Sequence, residues 1–220
     1  MNPITEEDIA EFLIQTPGFF ERHAELLAAA QLTSPHGGRA VSLQERQAEM
    51  LREKIKLLER RLMEFMRYGN ENMLIGDKLH VWARQLFLVP HAADMPNVLV
   101  DELRRQFDVP QAAIRLWNVA DVYQNEPFCQ GVTDDGKSLA NSLTAPYCGV
   151  NTGLEVVQWL ADPETAASVV LLPLRLGEAT FGLLVLASPD STRYQADMAT
   201  DFLERIAELA SAALSHLRAA

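Results

Sequence analysis

A repeat of apolar residues between Val41 and Leu86 constrains the fold of this chain more than any other feature of its sequence. Its positions lie alternately three and four residues apart, and only Gln44 and a Gly69–Gly76 patch clearly interrupt their apolar character. A period of 3.5 residues kept over six heptads is typical of helices that wind around one another. At 1.5 Å per residue, such a helix would be roughly 65 Å long. We call this row the seam: Val41, Gln44, Ala48, Leu51, Ile55, Leu58, Leu62, Phe65, Gly69, Asn72, Gly76, Leu79, Ala83 and Leu86.

The best-formed part of the seam predicts a parallel homodimer. Ile55 at an a position with leucines at the neighbouring d positions favours two parallel strands. In that register Lys54 of one chain faces Glu59 of the other, which is an attractive pair. The predicted dimer seam comprises Leu51, Ile55, Leu58, Leu62 and Phe65.

An alternative is that the same helix packs within one chain. Such a helix uses a wider apolar stripe, and Leu57, Met63 and Met66 widen the stripe here. The sequence alone leaves both arrangements open.

The seam is weak at Gly69, Asn72 and Gly76. Each glycine costs a helix about 1 kcal/mol relative to alanine, and none of the three residues supplies apolar burial. Two explanations stay open: the helix ends or kinks here, or the patch is a hinge that transmits a signal. The predicted organisation is an N-terminal helical segment (1–40), a coiled-coil connector helix (41–76) and a C-terminal domain (77–220).

Charge and composition exclude several classes of function. Residues 91–220 carry 17 acidic and 8 basic side chains, so a phosphate backbone would be repelled and nucleic-acid binding is not expected. No apolar run approaches the roughly 20 residues that a membrane span needs, and the acidic start lacks the features of a signal peptide. Two cysteines fit a reducing compartment. We therefore expect a cytoplasmic protein without a membrane segment.

The N-terminal segment predicts two short helices. Thr5 followed by Glu6, Glu7 and Asp8 is a typical helix start, and Pro17-Gly18 ends that helix. A second helix begins near Phe19. Helices this short are not stable alone, so they are expected to dock on each other, on the connector helix or on a protein partner, with Phe19 and Phe20 as candidate anchors.

A break and a cap precede the connector helix. The turn-forming run from Ser34 to Gly38 separates it from the N-terminal helices. Ser42 and Glu45 then have the spacing of a capping box, which marks where the connector begins.

The C-terminal domain predicts alternating helices and strands. The aliphatic stretches on either side of Gly177-Glu178 are typical of a β-hairpin. In order, we expect helices at 77–88 and 96–107, a strand at 111–118, an irregular middle (119–150) with a short helix at 137–143, a helix at 153–160, strands at 168–174 and 180–187, and a helix at 196–217.

The end of the chain, SVVLLPLRLGEATFGLLVLASPDSTRYQADMATDFLERIAELASAAL, resembles the end of GAF domains. An aliphatic strand, a turn, a Gly182-Leu-Leu184 strand and a loop lead to Tyr194, Asp197 and a helix from Leu203 onward. The stretches FFERHAELL (19–27), PHGGRAVSLQERQ (35–47) and PYCG (146–149) resemble domain-of-unknown-function family 484, built from a helical N-terminus and a GAF-like domain. Ala24 departs from that pattern, in which proline is expected.

This resemblance implies an α+β fold, with a GAF-like antiparallel sheet flanked by helices and dimerisation through terminal helices. It implies a sensory or regulatory role only loosely, because GAF-like folds host many ligands and many empty pockets. The family supplies no activity to carry over. A non-enzymatic regulatory module with an unidentified small-molecule ligand is the leading hypothesis, and an interaction scaffold with an empty pocket is an alternative.

Candidate site residues lie around the irregular middle. No enzyme motif and no His/Cys pair at metal-ligand spacing occurs, so no catalytic residue and no metal are predicted, and the sequence leaves any cofactor unknown. Aromatic residues with a few polar groups suit a small-molecule pocket, although the same residues could simply be core. The candidate ligand-binding residues are Trp117, Asn118, Phe128, Tyr147, Trp159 and Arg175.

Cys129 and Cys148 support a second class of function. Some GAF-like domains are methionine sulfoxide reductases, in which one thiolate attacks and a second thiol resolves the intermediate. Neither cysteine here has an activating Lys, Arg or His beside it in the sequence. Inert, half-buried thiols are the simpler interpretation.

Overall fold

A computed structural model describes residues 4–29, 31–33, 40–196 and 200–219, with the backbone alone at 27–29, 31–33 and 40–45. The chain divides into two compact units, Met1–Asn70 and Glu71–Ala220. We call them the N-terminal and C-terminal units. The three-segment organisation inferred from the sequence stays a prediction.

Helix α1 (Glu6–Gln15) begins where the sequence predicts. The backbone N–H of Asp8 donates to Thr5 Oγ1 at 3.2 Å, and the backbone N–H of Thr5 donates to Asp8 Oδ2 at 2.8 Å. This reciprocal pair is a capping box, which satisfies backbone donors that the first helical turn leaves free. The helix ends before Pro17, as expected.

The predicted second helix is instead two shorter ones, α2 (Phe19–Arg22) and α3 (Ala24–Ala29). His23 separates them because its backbone leaves the helical region and its N–H bonds to the carbonyl of Phe19. The sequence also missed two short strands, β1 (Gln31–Thr33) and β2 (Ala40–Ser42), which pair antiparallel. The predicted break at 34–38, His36 and the side chains of the predicted Ser42/Glu45 cap lie outside the described residues.

Helix α4 (Leu43–Phe87) is 45 residues long and runs from one unit into the other. It stays helical through Gly69, Asn72 and Gly76, so among the explanations that the sequence left open a helix end is excluded, whereas a kink or a hinge stays a prediction. An atom added at the Cβ position of Gly69 or Gly76 would meet nothing within 4 Å. Neither α4 nor any other helix in the described ranges is both long and apolar enough to cross a membrane.

The two halves of the seam have opposite environments. Exposure is 60% for Leu51, 53% for Ile55 and Leu58, 58% for Leu62 and 75% for Phe65. By contrast, Leu79 is 5% exposed and Leu86 is 4% exposed, because both pack into the core of the C-terminal unit. The seam therefore does not continue as one exposed surface to Leu86.

The C-terminal unit is built on a four-stranded antiparallel sheet of order β3-β6-β5-β4. The predicted helix at 153–160 is a 3₁₀ helix, Glu155–Trp159, and the sequence missed β4. Residues 197–199 of the predicted last helix lie outside the described residues. The elements are α5 (Met95–Phe107), β3 (Gln111–Leu116), α6 (Asp134–Ser142), β4 (Tyr147–Val150), β5 (Ser168–Leu176), β6 (Ala179–Ser188) and α7 (Asp201–Leu214).

Each face of the sheet carries its own hydrophobic core. The first core joins the sheet to the last turns of α4, to α5 and to α7, and includes Trp82, Leu99 and Leu172. The second core joins the opposite face to α6 and the segment 154–166, and includes Leu171 and Leu183. Because β5 and β6 are covered on both faces, their sequences are nearly continuous aliphatic runs. The predicted α+β class, with an antiparallel sheet flanked by helices, is confirmed.

We predict that Gly182→Ala destabilises the C-terminal unit. The added methyl would lie 2.6 Å from Leu116 Cδ2 and 3.0 Å from the carbonyl oxygen of Arg115. The added methyl forces neighbouring atoms to shift, and this overpacking should lower the free energy of unfolding by about 1–3 kcal/mol. Gly76→Ala is the control with the opposite sign, since its methyl meets no neighbour and removes a helix-breaking glycine, for a gain of up to about 1 kcal/mol. Urea denaturation measures both, and equal stability of the two variants would contradict the prediction.

Candidate functional site

The second face of the sheet is filled by the protein's own side chains. Val156, Leu171, Leu183 and Val185 are each at most 1% exposed. Trp117, predicted to bind a ligand, is 8% exposed, and its Nε1–H donates to the carbonyl of Thr180 at 3.0 Å. Its ring is therefore part of the second core, and its polar atom already has a partner.

Asn118 lines a depression at the end of β3, which we call the Asn118 depression. Its volume is about 360 Å³. Asn118 adopts a left-handed backbone conformation (φ 56°), which asparagine tolerates better than most residues. The amides of Asn118 and Gln124 and the ammonium of Lys137 give this depression a polar character. Its lining residues are Leu116, Trp117, Asn118, Val119, Gln124, Cys129, Val132 and Lys137.

Trp159 and Arg115 organise a second depression, of about 340 Å³, which we call the Trp159 depression. Arg115 Nε donates to the carbonyl of Gln130 at 2.8 Å, and Trp159 Nε1 donates to the carbonyl of Gly131 at 3.0 Å. The guanidinium carbon lies 5.8 Å from the Trp159 ring centroid, within the range of a cation–π contact. Together the two side chains hold the turn at residues 130–131 against the sheet.

Sequence reasoning missed Arg115 as an organising residue. It alternates with Ile114 and Leu116 along β3, and that alternation predicts a side chain on the face opposite to theirs. The pattern does not predict that its fork of N–H donors would bind the backbone carbonyl of Gln130, because that residue is distant in sequence.

Arg175 has a structural set of partners. Its Nε donates to Thr180 Oγ1 at 3.2 Å, and its terminal NH2 group bonds to the carbonyls of Asn141 and Leu143. Planar guanidinium groups suit several acceptors at once. Arg175 thus ties the hairpin to the C-terminal end of α6, where carbonyl groups lack helical partners. It also lines a depression with Pro146, Pro173 and Ser211.

Of the remaining two candidates, Phe128 shares the lining of the Trp159 depression with Trp159, whereas Tyr147 lies apart. Phe128 is 3% exposed and belongs to the first core, on the other face of the sheet from Trp117. Tyr147 begins β4 at the far edge and is 36% exposed. The six candidates therefore do not surround one common space, and their role in ligand binding stays a prediction.

The two cysteines lie near opposite edges of the sheet. Cys129 ends a 3₁₀ helix that packs against β3, whereas Cys148 lies on β4. Three inter-strand spacings of about 4.8 Å separate those strands, roughly 14 Å, while a disulfide needs Cα atoms about 4.4–6.8 Å apart. The fold does not place the two thiols for direct exchange with each other.

The surroundings of both thiols raise their pKa. Burial raises the pKa of Cys129, the nearby Glu126 carboxylate raises it further, and the Arg115 guanidinium partly opposes these effects. Burial alone raises the pKa of Cys148, which is 6% exposed. Because the thiolate is the nucleophile, these shifts disfavour reactivity near neutral pH. Among the described residues, no group of three His, Cys, Asp or Glu side chains could hold a metal ion.

We predict slow, strongly pH-dependent alkylation of Cys129. A raised pKa leaves less thiolate at pH 7 than in a free cysteine, whose pKa is about 8.5, so the rate should rise as pH increases beyond that value. Glu126→Gln should lower the pKa of the thiol and speed the reaction at pH 7, and Arg115→Gln should slow it. Iodoacetamide labelling followed by mass spectrometry measures the rates. Cys148 should not be labelled until the protein unfolds. Rapid labelling of either cysteine at neutral pH would contradict this account.

Three solved structures to which the chain is similar are GAF domains. That of a GAF domain from Pseudomonas syringae pv. tomato has a TM-score of 0.45, is 19% identical, and the match covers 68% of this chain and 90% of that chain. The GAF domain of an Acinetobacter phosphoenolpyruvate-protein phosphotransferase has a TM-score of 0.45 at 15% identity, with 64% and 92% covered. The GAF domain of a phosphoenolpyruvate-protein phosphotransferase from Coxiella burnetii has a TM-score of 0.49 at 14% identity, with 66% and 94% covered.

No curated protein matches the sequence. The family described as "Protein of unknown function, DUF484" matches residues 1–217, which is nearly the whole chain. The protein therefore belongs to the DUF484 family.

Proposed function

We propose that this chain is a non-enzymatic regulatory module of the sensory type that works as a homodimer paired through α4. One observation carries the proposal: Leu51, Ile55, Leu58, Leu62 and Phe65 keep the coiled-coil period, yet each is at least 53% exposed in the single chain. A row of large apolar side chains left in water is unfavourable, because burying each one fully is worth about 1.5–3 kcal/mol.

A second copy of this chain is the partner that fits the row. Self-association of parallel helices brings identical positions together, and Ile55 at a with Leu51 and Leu58 at d matches the preference of two-stranded coils. The exposed Lys54 and Glu59 then face each other across the interface. The intrachain alternative lacks support, since this stripe has no cover within the part of the chain that the structure describes.

The N-terminal helices offer a surface for a different protein. Phe12 is 53% exposed and Phe20 is 39% exposed, and both rings pack edge-to-face on Phe19, at 5.9 and 5.5 Å. Helix α1 buries none of its residues. We propose that this aromatic cluster is the output contact, while the C-terminal unit supplies the regulatory input.

The site itself favours a regulatory role over catalysis. Its strongest donors, on Trp117, Trp159, Arg115 and Arg175, already bond to the protein's own oxygen atoms. Two polar side chains at the rim of the Asn118 depression have partners as well: Gln124 Nε2 donates to Asp121 Oδ1 at 2.7 Å, and Lys137 Nζ donates to Asp134 Oδ1 at 3.2 Å. Such a polar rim suits a small polar ligand.

The dimer is tested by one pair of leucine variants. Leu58→Glu places a carboxylate at a seam position of both chains, and we expect it to weaken dimerisation at least a hundredfold, because buried charges need partners. Leu57→Glu is the matched control: the same substitution one residue away, at a c position outside the seam. Sedimentation equilibrium at micromolar concentration should find a dimer for the native protein and for Leu57→Glu.

Two outcomes would contradict this proposal. A native protein that is strictly monomeric at micromolar concentration would remove the paired seam. Equal dissociation by Leu57→Glu and Leu58→Glu would indicate a wider packing stripe than a two-stranded coil uses.

A scaffold without a small-molecule ligand is the second candidate, and the packed second face favours it. Native mass spectrometry of the freshly purified protein separates the two candidates. A ligand-binding module should carry added mass, or gain it with a thermal shift when small metabolites are supplied. A scaffold should show the mass of the protein alone and no shift with any metabolite in the panel.

A further inference from the structure

The last turns of α4 carry a second exposed apolar stripe. Met73 is 67% exposed, Leu74 63%, Val81 41%, Phe87 88% and Leu88 63%. Exposed apolar residues scattered singly are ordinary on a protein surface. These instead recur as pairs seven residues apart, with His80 beside Val81 in the middle pair.

The spacing connects this stripe to the exposed half of the seam. From Phe65, steps of four residues reach Gly69 and then Met73, after which the alternation of three and four resumes. One extra step of four in a heptad pattern is a stutter, which locally unwinds a coiled coil without breaking its helices. The resulting positions after Phe65 are Gly69, Met73, Gly76, His80, Ala83 and Phe87.

The core of the C-terminal unit requires this change of phase. Leu79, Trp82 and Leu86 point into that core and are 5%, 0% and 4% exposed. Each residue of an α-helix is rotated by about 100° from the one before it. His80 and Phe87 follow Leu79 and Leu86 directly, so they lie to one side of the buried face. Without the stutter, the heptad pattern would place Leu79 and Leu86 at the dimer interface. Both side chains are already buried in the core of the C-terminal unit, so they cannot also face a second copy.

An apolar hollow lies beside the end of this stripe. It has a volume of about 260 Å³ and is formed by the last turns of α4, Met95 and one face of α7. Ala83 and the highly exposed Phe87 both line it, opposite Leu209 and Ala213. A large protruding ring next to a hollow of suitable size is the arrangement that a twofold contact uses, because each copy then supplies both parts.

We propose that the homodimer surface continues beyond Gly69 through a stutter, with Met73, His80 and Phe87 at seam positions. Phe87 of one copy packs in the hollow beside Ala83 of the other. This inference rests on the proposed dimer. A second copy is the occupant because the stripe is continuous in spacing with the seam, and parallel pairing brings the same positions of both helices together.

Disulfide cross-linking tests the phase of the surface. In a chain carrying Cys129→Ser and Cys148→Ala, single cysteines are placed at Leu58 in the seam, at His80 in the stuttered stripe and at Lys78, which is exposed on the opposite side of α4. After mild oxidation, we expect cross-linked dimers for Leu58→Cys and His80→Cys and at least tenfold less for Lys78→Cys.

The outcomes separate this inference from the proposed function. Cross-linking at position 58 but not at 80 overturns the stutter and leaves the dimer intact. Failure at both positions overturns the dimer and the stutter together. Equal cross-linking at 78 and 80 also overturns the stutter, since it means that neither side of the helix is preferred.

A second test measures the dimer dissociation constant in a protein that keeps both native cysteines. Phe87→Ala in the native sequence removes a ring that is 88% exposed, so folding should be unaffected. We expect the dimer dissociation constant to rise on the order of tenfold or more, as loss of buried apolar area requires. Val122→Ala is the control, because Val122 is 78% exposed in the 3₁₀ helix Asp121–Tyr123 and lies outside the stripe. An unchanged dissociation constant for Phe87→Ala overturns the inference.

Discussion

The burial of Trp82 is the contact on which the other features of α4 depend. Its side chain is 0% exposed, and its indole N–H donates to the carbonyl of Leu99 at 3.2 Å, so a large apolar ring is buried without leaving a polar atom unpaired. This bond also joins α4 to α5. Because the helix is continuous, the direction of Trp82 sets which side of the last turns faces the core and which side, with Met73 and Phe87, remains exposed.

The hairpin and the irregular middle of the C-terminal unit are held in place by different kinds of contact. The hairpin of β5 and β6 supplies apolar side chains to both cores, and the absence of a side chain at Gly182 lets Leu116 and Leu174 approach the strand closely. Residues 120–146 of the irregular middle form no strand, and two arginines bind backbone carbonyls of this segment instead. Arg115 binds the turn at Gln130, and Arg175 binds the end of α6, each by donating to backbone carbonyls.

Predictions succeeded where a local pattern was long and periodic, as in α5 and the β5–β6 hairpin. Strand β4 was not predicted because it has only four residues, one of them glycine, and because its strand conformation comes from pairing with β5. The break between α2 and α3 was not predicted because His23 is not a residue that typically ends a helix. For the candidate site, the sequence indicated which aromatic residues surround the irregular middle. It could not indicate that Trp117 and Phe128 enter different cores, because that depends on how a long segment folds back across the sheet.

The sequence alone indicates a 3.5-residue apolar row between Val41 and Leu86 and an aliphatic hairpin within an α+β domain, whereas the continuity of the helix through Gly69 and Gly76 came from the structure. Spacing along the chain sets the angle between side chains on a helix, so the row follows from local geometry alone. Which residues of that row are covered depends on tertiary contacts. Leu58 and Leu86 occupy equivalent positions in the repeat, yet one is 53% exposed and the other 4%. The difference comes from contacts with α5, α7 and the sheet, which are distant in sequence and therefore invisible to any local pattern.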